Sequence, residues 1–162
     1  MPEMADWNDA ALYASRVFAA LLLAGAIGFE REAQDKSAGL RTHMMVGVGA
    51  CLFTLLMIIL IDRYQSDTIR ADPIRIVSAI TSGVAFLAAG AIIQSRGRVK
   101  GLTTGGSLWM AGAIGLGCGL GEYLLSLIAV GATIVVLVCI KQLERRFFPN
   151  DEASANKRRD RR

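Results

Sequence analysis

Seven residues able to carry charge crowd into "GFEREAQDKSAGLRTHM", Gly28 to Met44: Glu30, Arg31, Glu32, Asp35, Lys36, Arg41 and His43. They stand between two strongly apolar runs. At such a boundary the dielectric falls, and carboxylates and guanidinium groups are driven to pair. Glu30 or Glu32 is therefore expected to pair with Arg31, Arg41 or a basic residue of the 96–100 segment. Simple anchoring at a polar boundary is the alternative for any one of these residues. A second charged stretch, "DRYQSDTIRADPIR", runs from Asp62 to Arg75. Asp72, directly before Pro73, reads as the N-cap of a helix that opens on the proline. Its functional reading is a carboxylate at the mouth of a polar cavity, paired with Arg75 or Arg16. A carboxylate suits a hard cation such as Mg²⁺, although one carboxylate is a thin basis for a site. Cys51, Cys118 and Cys139 lie in or beside apolar runs without metal-ligand spacing, and read as small buried apolar residues. No nucleophile–base pair, phosphate loop or metal cluster can be read from the chain, so no enzymatic chemistry, no metal centre and no cofactor are expected.

The elements that must position these charges are set by composition. The 162 residues are 53% hydrophobic, with mean hydropathy +0.43, 17 glycines and 3 prolines. That is too apolar for an ordinary soluble domain and suits helices packed closely in lipid. Five apolar segments stand out, at 11–29, 43–61, 74–94, 104–121 and 122–140. About 20 apolar residues span the hydrocarbon layer. The expected fold is therefore an all-α membrane protein of about five transmembrane helices. The fourth and fifth segments are separated only by a tight turn, "GLGCGLGE", and a bent or re-entrant pair is the alternative there. The division is residues 1–10 outside the cytoplasm, 11–140 the transmembrane domain and 141–162 a basic cytoplasmic tail. The acidic start, "MPEMADWNDA", lacks the basic region of a signal peptide, so the first segment is expected to stay in the membrane.

Orientation follows from counting. Placing the 30–42 loop, the 95–103 loop and the tail on one side gives that side 14 of the 18 Lys and Arg; the other keeps Arg16, Arg63, Arg70 and Arg75. The positive-inside rule makes the rich side cytoplasmic and leaves the N-terminus outside. In the tail, Phe147 and Phe148 mark the interface, Pro149 stops the helix, and "NKRRDRR" reads as a disordered, solvated segment able to meet anionic lipid; no nucleic-acid partner is expected.

Two patterns concern packing. "AGAI" occurs at 24–27 and at 89–92, each copy followed by basic residues and then by Gly39-Leu40-Arg41-Thr42 or Gly101-Leu102-Thr103-Thr104. Helices one–two and three–four then read as parallel repeats, with a chance match as the alternative. Between Gly101 and Gly121 there are eight glycines. Ala111, Gly115 and Gly119 share a helix face, as do Ala113, Gly117 and Gly121; Ala24 with Gly28 and Ala85 with Ala89 repeat the spacing. Such faces allow backbones to approach closely, as a helix interface or as a thin wall beside a pathway.

"GAIGFEREAQDKSAGLRTHMMVGVGACLFTL", "DPIRIVSAITSGVAFLAAGAII" and "VKGLTTGGSLWMAGAIGLGCGLG" resemble, in order and spacing, the MgtC/SapB family of bacterial inner-membrane proteins, over roughly residues 12 to 140. The resemblance implies a small helical domain in the bacterial cell membrane, associated with magnesium limitation, acid tolerance and survival in host macrophages. It also implies, for some members, restraint of the F-type ATP synthase or altered phosphate handling. The matching motif positions are Glu30, Arg31, Gly39, Leu40, Arg41, Thr42, Asp72, Pro73, Arg75, Gly101, Leu102 and Thr104. Val77-Ser78-Ala79 replaces an "AAQ" common in the family, "GVAFLAAG" replaces "GIGFLGAG", and Thr103 stands where some members have Asn. Virulence-associated members add a C-terminal ACT-type domain, and functions that need it do not carry over to this short form.

The expected function is regulation, with transport as the alternative and a self-associating scaffold, which the small-residue stripes also fit, as a third. In the first the chain regulates membrane energetics or ion homeostasis through a membrane partner, such as an F-type ATP synthase subunit or a second copy of itself. The Gly101–Gly121 helix, with Gly115 and Gly119, would supply contacts, and Glu30 with Arg41 would hold the repeat loops in register beside Arg31, Thr42, Thr103 and Thr104. In the second the chain carries a small ion, with Asp72 and Arg75 at the outer mouth and Glu30 and Arg41 at the inner one.

Overall fold

The computed structural model describes residues 7–64, 72–95 and 98–147. The expectations for residues 1–6, the 65–71 segment, Arg96, Phe148, Pro149 and the "NKRRDRR" tail lie outside the described residues. Five main helices form: α1 (Trp7–Glu32), α2 (Leu40–Tyr64), α3 (Pro73–Gly90), α4 (Leu102–Leu120) and α5 (Tyr123–Val135). A π turn, Val136–Ile140, carries α5 into a short α6 (Lys141–Phe147), so part of the expected tail is helical. The third segment stops being helical at Gly90, because Ile93–Ser95 (β1) turns back on Arg98–Lys100 (β2) as a small antiparallel hairpin with Gln94 opposite Val99. α3 opens as expected: Pro73 occupies its first turn, and the Asp72 carboxylate accepts the Ile74 amide at 3.0 Å.

Four spans are long and apolar enough to cross a membrane: Asp9–Glu32, Leu40–Tyr64, Pro73–Gly90 and Tyr123–Ile140. α4 is not among them. Its 19 residues would reach about 28 Å, but it is glycine-rich and sits at the centre, packed on α1, α2, α3 and α5. Ala111, Ile114 and Cys118 of α4 are buried. Gly101 and Gly121 bound the helix with φ of 90° and 87°, a backbone open to glycine without strain. At the second, the Gly121 and Glu122 amides turn back to Cys118 and Gly117, making the tight α4–α5 turn.

Contacts along the helices fix their directions. Val84 lies on Gly112 and Ala88 on Gly105, so α3 runs antiparallel to α4. Ala24 lies on Gly47, and Gly28 on Leu40 and His43, so α1 runs antiparallel to α2. His43 bonds Ser107 while Thr54 packs on Gly119, so α2 and α4 are parallel. The two helix pairs that carry the echo thus run in the same sense, with both connections at one end of the bundle. The small-residue faces are mostly spent inside the chain. A Cβ at Gly115 would overlap the Gly47 carbonyl, and one at Gly119 would stand 2.9 Å from the Cys51 carbonyl. Ala85 and Ala89 depart from the expected packing face: they are exposed, while Val84 and Ala88 pack on α4. Outward lie Phe18, Leu22, Phe53, Phe86, Leu124 and Ile128, the apolar exterior that lipid requires. Hydroxyls at Thr54, Thr81 and Thr133 bond carbonyls one turn back and need no outside partner.

Candidate functional site

At the end where α1 and α3 finish and α2 and α4 begin, polar groups converge. Arg31, in the last turn of α1, is only 2% exposed. Its Nε donates to Glu30 at 2.5 Å, and Gln34 donates to the other Glu30 oxygen. Glu30 thus pairs with its neighbour rather than with Arg41. Arg41 and Thr42 are exposed at the start of α2, away from that pair, so a Glu30–Arg41 clasp between the loops does not form. Glu32 has a role the pairing argument missed: it accepts the Leu40 amide at 3.0 Å and caps α2 from the end of α1.

His43 is fully buried between α2 and α4. Its Nδ1–H donates to the Gly39 carbonyl at 2.8 Å, leaving Nε2 of the neutral ring to accept from the Ser107 hydroxyl at 3.0 Å. The Thr104 carbonyl, 2.9 Å away, is a second acceptor for the single Ser107 hydroxyl proton, which the two sites share. The chain Gly39–His43–Ser107–Thr104 is a polar latch from the α1–α2 loop to the first turn of α4. His43 and Ser107 were not singled out from sequence as site residues; the available signal was a lone histidine four residues after Gly39, at the mouth of an apolar helix. Gly47 was missed too, although Gly47 and Cys51 form a four-residue small stripe. Of the two neighbouring threonines, Thr104 is buried beside the latch and Thr103 is exposed.

The opposite end does not assemble the expected mouth. Asp72 and Arg75 are both exposed, and Asp72 is engaged as the α3 cap. Arg16 instead donates to the Gly119 carbonyl at 2.7 Å, placing its cation at the negative end of the α4 dipole. Cys51 and Cys118 are buried free thiols; Cys139 is exposed, because its place in the π turn faces away from the bundle. Among the described residues no group of three or more His, Cys, Asp or Glu could hold a metal ion. Outside the packed axis, α2 and α3 diverge around an apolar groove of about 780 Å³, lined by Phe53, Met57, Ile80 and Leu87. Gly49 and Gly83 line it as well, and a Cβ at either would meet nothing within 4 Å.

The sequence profile of the MgtC family matches residues 17–146. The chain belongs to the MgtC family. A YhiD protein of Escherichia coli (strain K12), whose name proposes a magnesium transporter, is 37% identical over 132 residues, covering 81% of this chain and 61% of its own. Protein MgtC of Brucella abortus (strain 2308) is 37% identical over 134 residues, 82% of this chain and 52% of its own. Protein MgtC of Salmonella typhimurium (strain 14028s / SGSC 2262) is 40% identical over 126 residues, 77% and 49% respectively. This MgtC-family chain therefore spans about half to three-fifths of the length of these relatives. No solved structure gives a significant match. With four membrane-length apolar helices, it is a multi-pass membrane protein.

Proposed function

We propose that the protein is a regulator of magnesium-related ion homeostasis and membrane energetics in the bacterial inner membrane, acting by binding another membrane protein. Its relatives' names, MgtC and YhiD, support the link to magnesium. The observation that carries the regulator reading is the filled axis: α4 meets the α2 backbone at Gly47 through Gly115, and the guanidinium buried at the loop end is already paired with Glu30. The Glu30 carboxylate beside it is engaged by Arg31 and Gln34 and is not free to ligate a divalent cation. The partner surface is the α2–α3 groove, where glycines leave room for the side chains of an incoming helix. An F-type ATP synthase subunit is the partner the resemblance suggests; a second copy of the chain is the rival occupant. The cytoplasmic side is the loop end, by the charge count.

The test has two arms. Purified, folded protein in proteoliposomes should give no Mg²⁺ flux above empty liposomes, and Gly83→Phe should remove a co-purifying partner without loss of stability. Saturable flux that disappears in Asp72→Asn would establish the second reading, a small-ion transporter, which the YhiD name favours. A partner retained by Gly83→Phe would refute the groove.

A further inference from the structure

A cavity of about 490 Å³ opens at the loop end of the bundle. Arg31 and Lys36 line it from the α1–α2 junction, Thr103 and Thr104 from the start of α4, and Val136 and Ile140 from the π turn. Arg31 is 98% removed from solvent in this setting, at 2% exposure. Only its Nε is engaged, by Glu30; among the described residues the guanidinium makes no other hydrogen bond. The terminal Arg31 nitrogens are not sealed in the protein but border the cavity, where an anion can accept from them. The first amides of α4 are also open: Gly101 precedes them and has no side chain with which to cap.

Two cations, open helix amides and two threonine hydroxyls around one cavity are the donor set for a phosphate group. The wall formed by Val136 and Ile140 is apolar, and both residues are half exposed on the outer face of the bundle. A ligand head held by Arg31 can therefore continue along that wall. We propose that this cavity binds a phosphate group, with glycerophospholipid heads and free inorganic phosphate as the two possible sources. Basic pockets between membrane helices hold anionic lipid heads in this way. The site stands whether the chain regulates or transports.

The experiment uses the full chain in two arms. In the first, protein from nanodiscs of equal parts phosphatidylcholine and phosphatidylglycerol is released and weighed by native mass spectrometry. In the second, delipidated protein in maltoside micelles is titrated with inorganic phosphate and followed by ³¹P NMR. The variants are Lys36→Glu and Thr103→Val, both at exposed positions, with Lys36→Arg as rescue. Selective retention of phosphatidylglycerol that falls about tenfold in Lys36→Glu, the worth of one charge-assisted hydrogen bond, and returns in Lys36→Arg, establishes the lipid source. Saturable phosphate binding with the same pattern establishes free phosphate. Thr103→Val should weaken either ligand severalfold. No binding in either arm, or binding unchanged in both Lys36→Glu and Thr103→Val, overturns the proposal.

Discussion

Adding one methyl group at Gly115 should damage the bundle, while the same change nine residues earlier should not. At Gly115 the new Cβ would overlap the Gly47 carbonyl and stand 2.9 Å from the Gly47 Cα. Both obstacles are backbone, so no side chain can rotate away. Ordinary carbon–carbon contact is about 3.5–4.0 Å, so α2 and α4 must part. That loosens the Gly119 contacts with Cys51 and Thr54 and stretches the His43–Ser107 bond, all on the same face. Overpacking of this kind costs about 1–3 kcal/mol. Backbone obstruction on a shared face places this site at the upper end, and the helix preference for alanine returns at most about 1 kcal/mol. At Gly106, also in α4, a Cβ meets nothing within 4 Å, so Gly106→Ala keeps the propensity gain of about 0.5–1 kcal/mol. The two variants should differ by about 2–3 kcal/mol. Detergent unfolding followed by Trp109 fluorescence and circular dichroism measures the difference. Equal stability of Gly115→Ala and Gly106→Ala would refute the α2–α4 backbone contact.

Three further outcomes follow. A double-mutant cycle with His43→Phe and Ser107→Ala should return a coupling of about 0.5–1.5 kcal/mol in the same unfolding assay; strictly additive effects would mean the buried bond contributes nothing. Asp72→Ala should cost about 1 kcal/mol while Asp72→Asn costs little, since asparagine caps a helix as well as aspartate; equal losses would point to the charge rather than the cap. In a cysteine-free background, a cysteine at Arg75 should be labelled by an impermeant reagent in intact cells and one at Lys36 only after the membrane is breached; labelling of both in intact cells would overturn the proposed crossing.

Helix existence was legible from the apolar runs, and so was the Asp72–Pro73 start of α3, because a cap is a local event. The end of α3 was not, because the apolar run continues past Gly90 through Ala91, Ile92 and Ile93, and only the pairing of Ile93–Ser95 with Arg98–Lys100 makes a strand there. Glu30 was matched with too many cations. Proximity in sequence decided it: Arg31 and Gln34 reach the carboxylate from the same helix end, whereas Arg41 begins a helix that points it outward. The pairing of His43 with Ser107 and the close approach at Gly47 escaped notice because each depends on a register between α2 and α4 that no single segment encodes.

The same geometry redirects the search for a partner. Glycine faces on a membrane helix invite an interhelical contact, and Gly115 with Gly119 is the most conspicuous of them here. Yet α2 already occupies that face, so Gly115→Leu would disrupt the fold and say nothing about partners. Apolarity and burial run opposite to their usual relation: α5 is strongly apolar and largely exposed, whereas α4 falls outside the membrane-length apolar spans and lies at the centre. Lipid supplies the reason. It accepts apolar side chains as readily as a protein interior does, so what gains from burial is what lipid cannot serve, namely backbone brought to backbone and polar pairs such as His43 with Ser107. A partner helix obeys the same rule and needs a face where small residues are still open. Gly49 and Gly83, across the α2–α3 groove, meet that condition, and bulk introduced there tests recognition without touching the core.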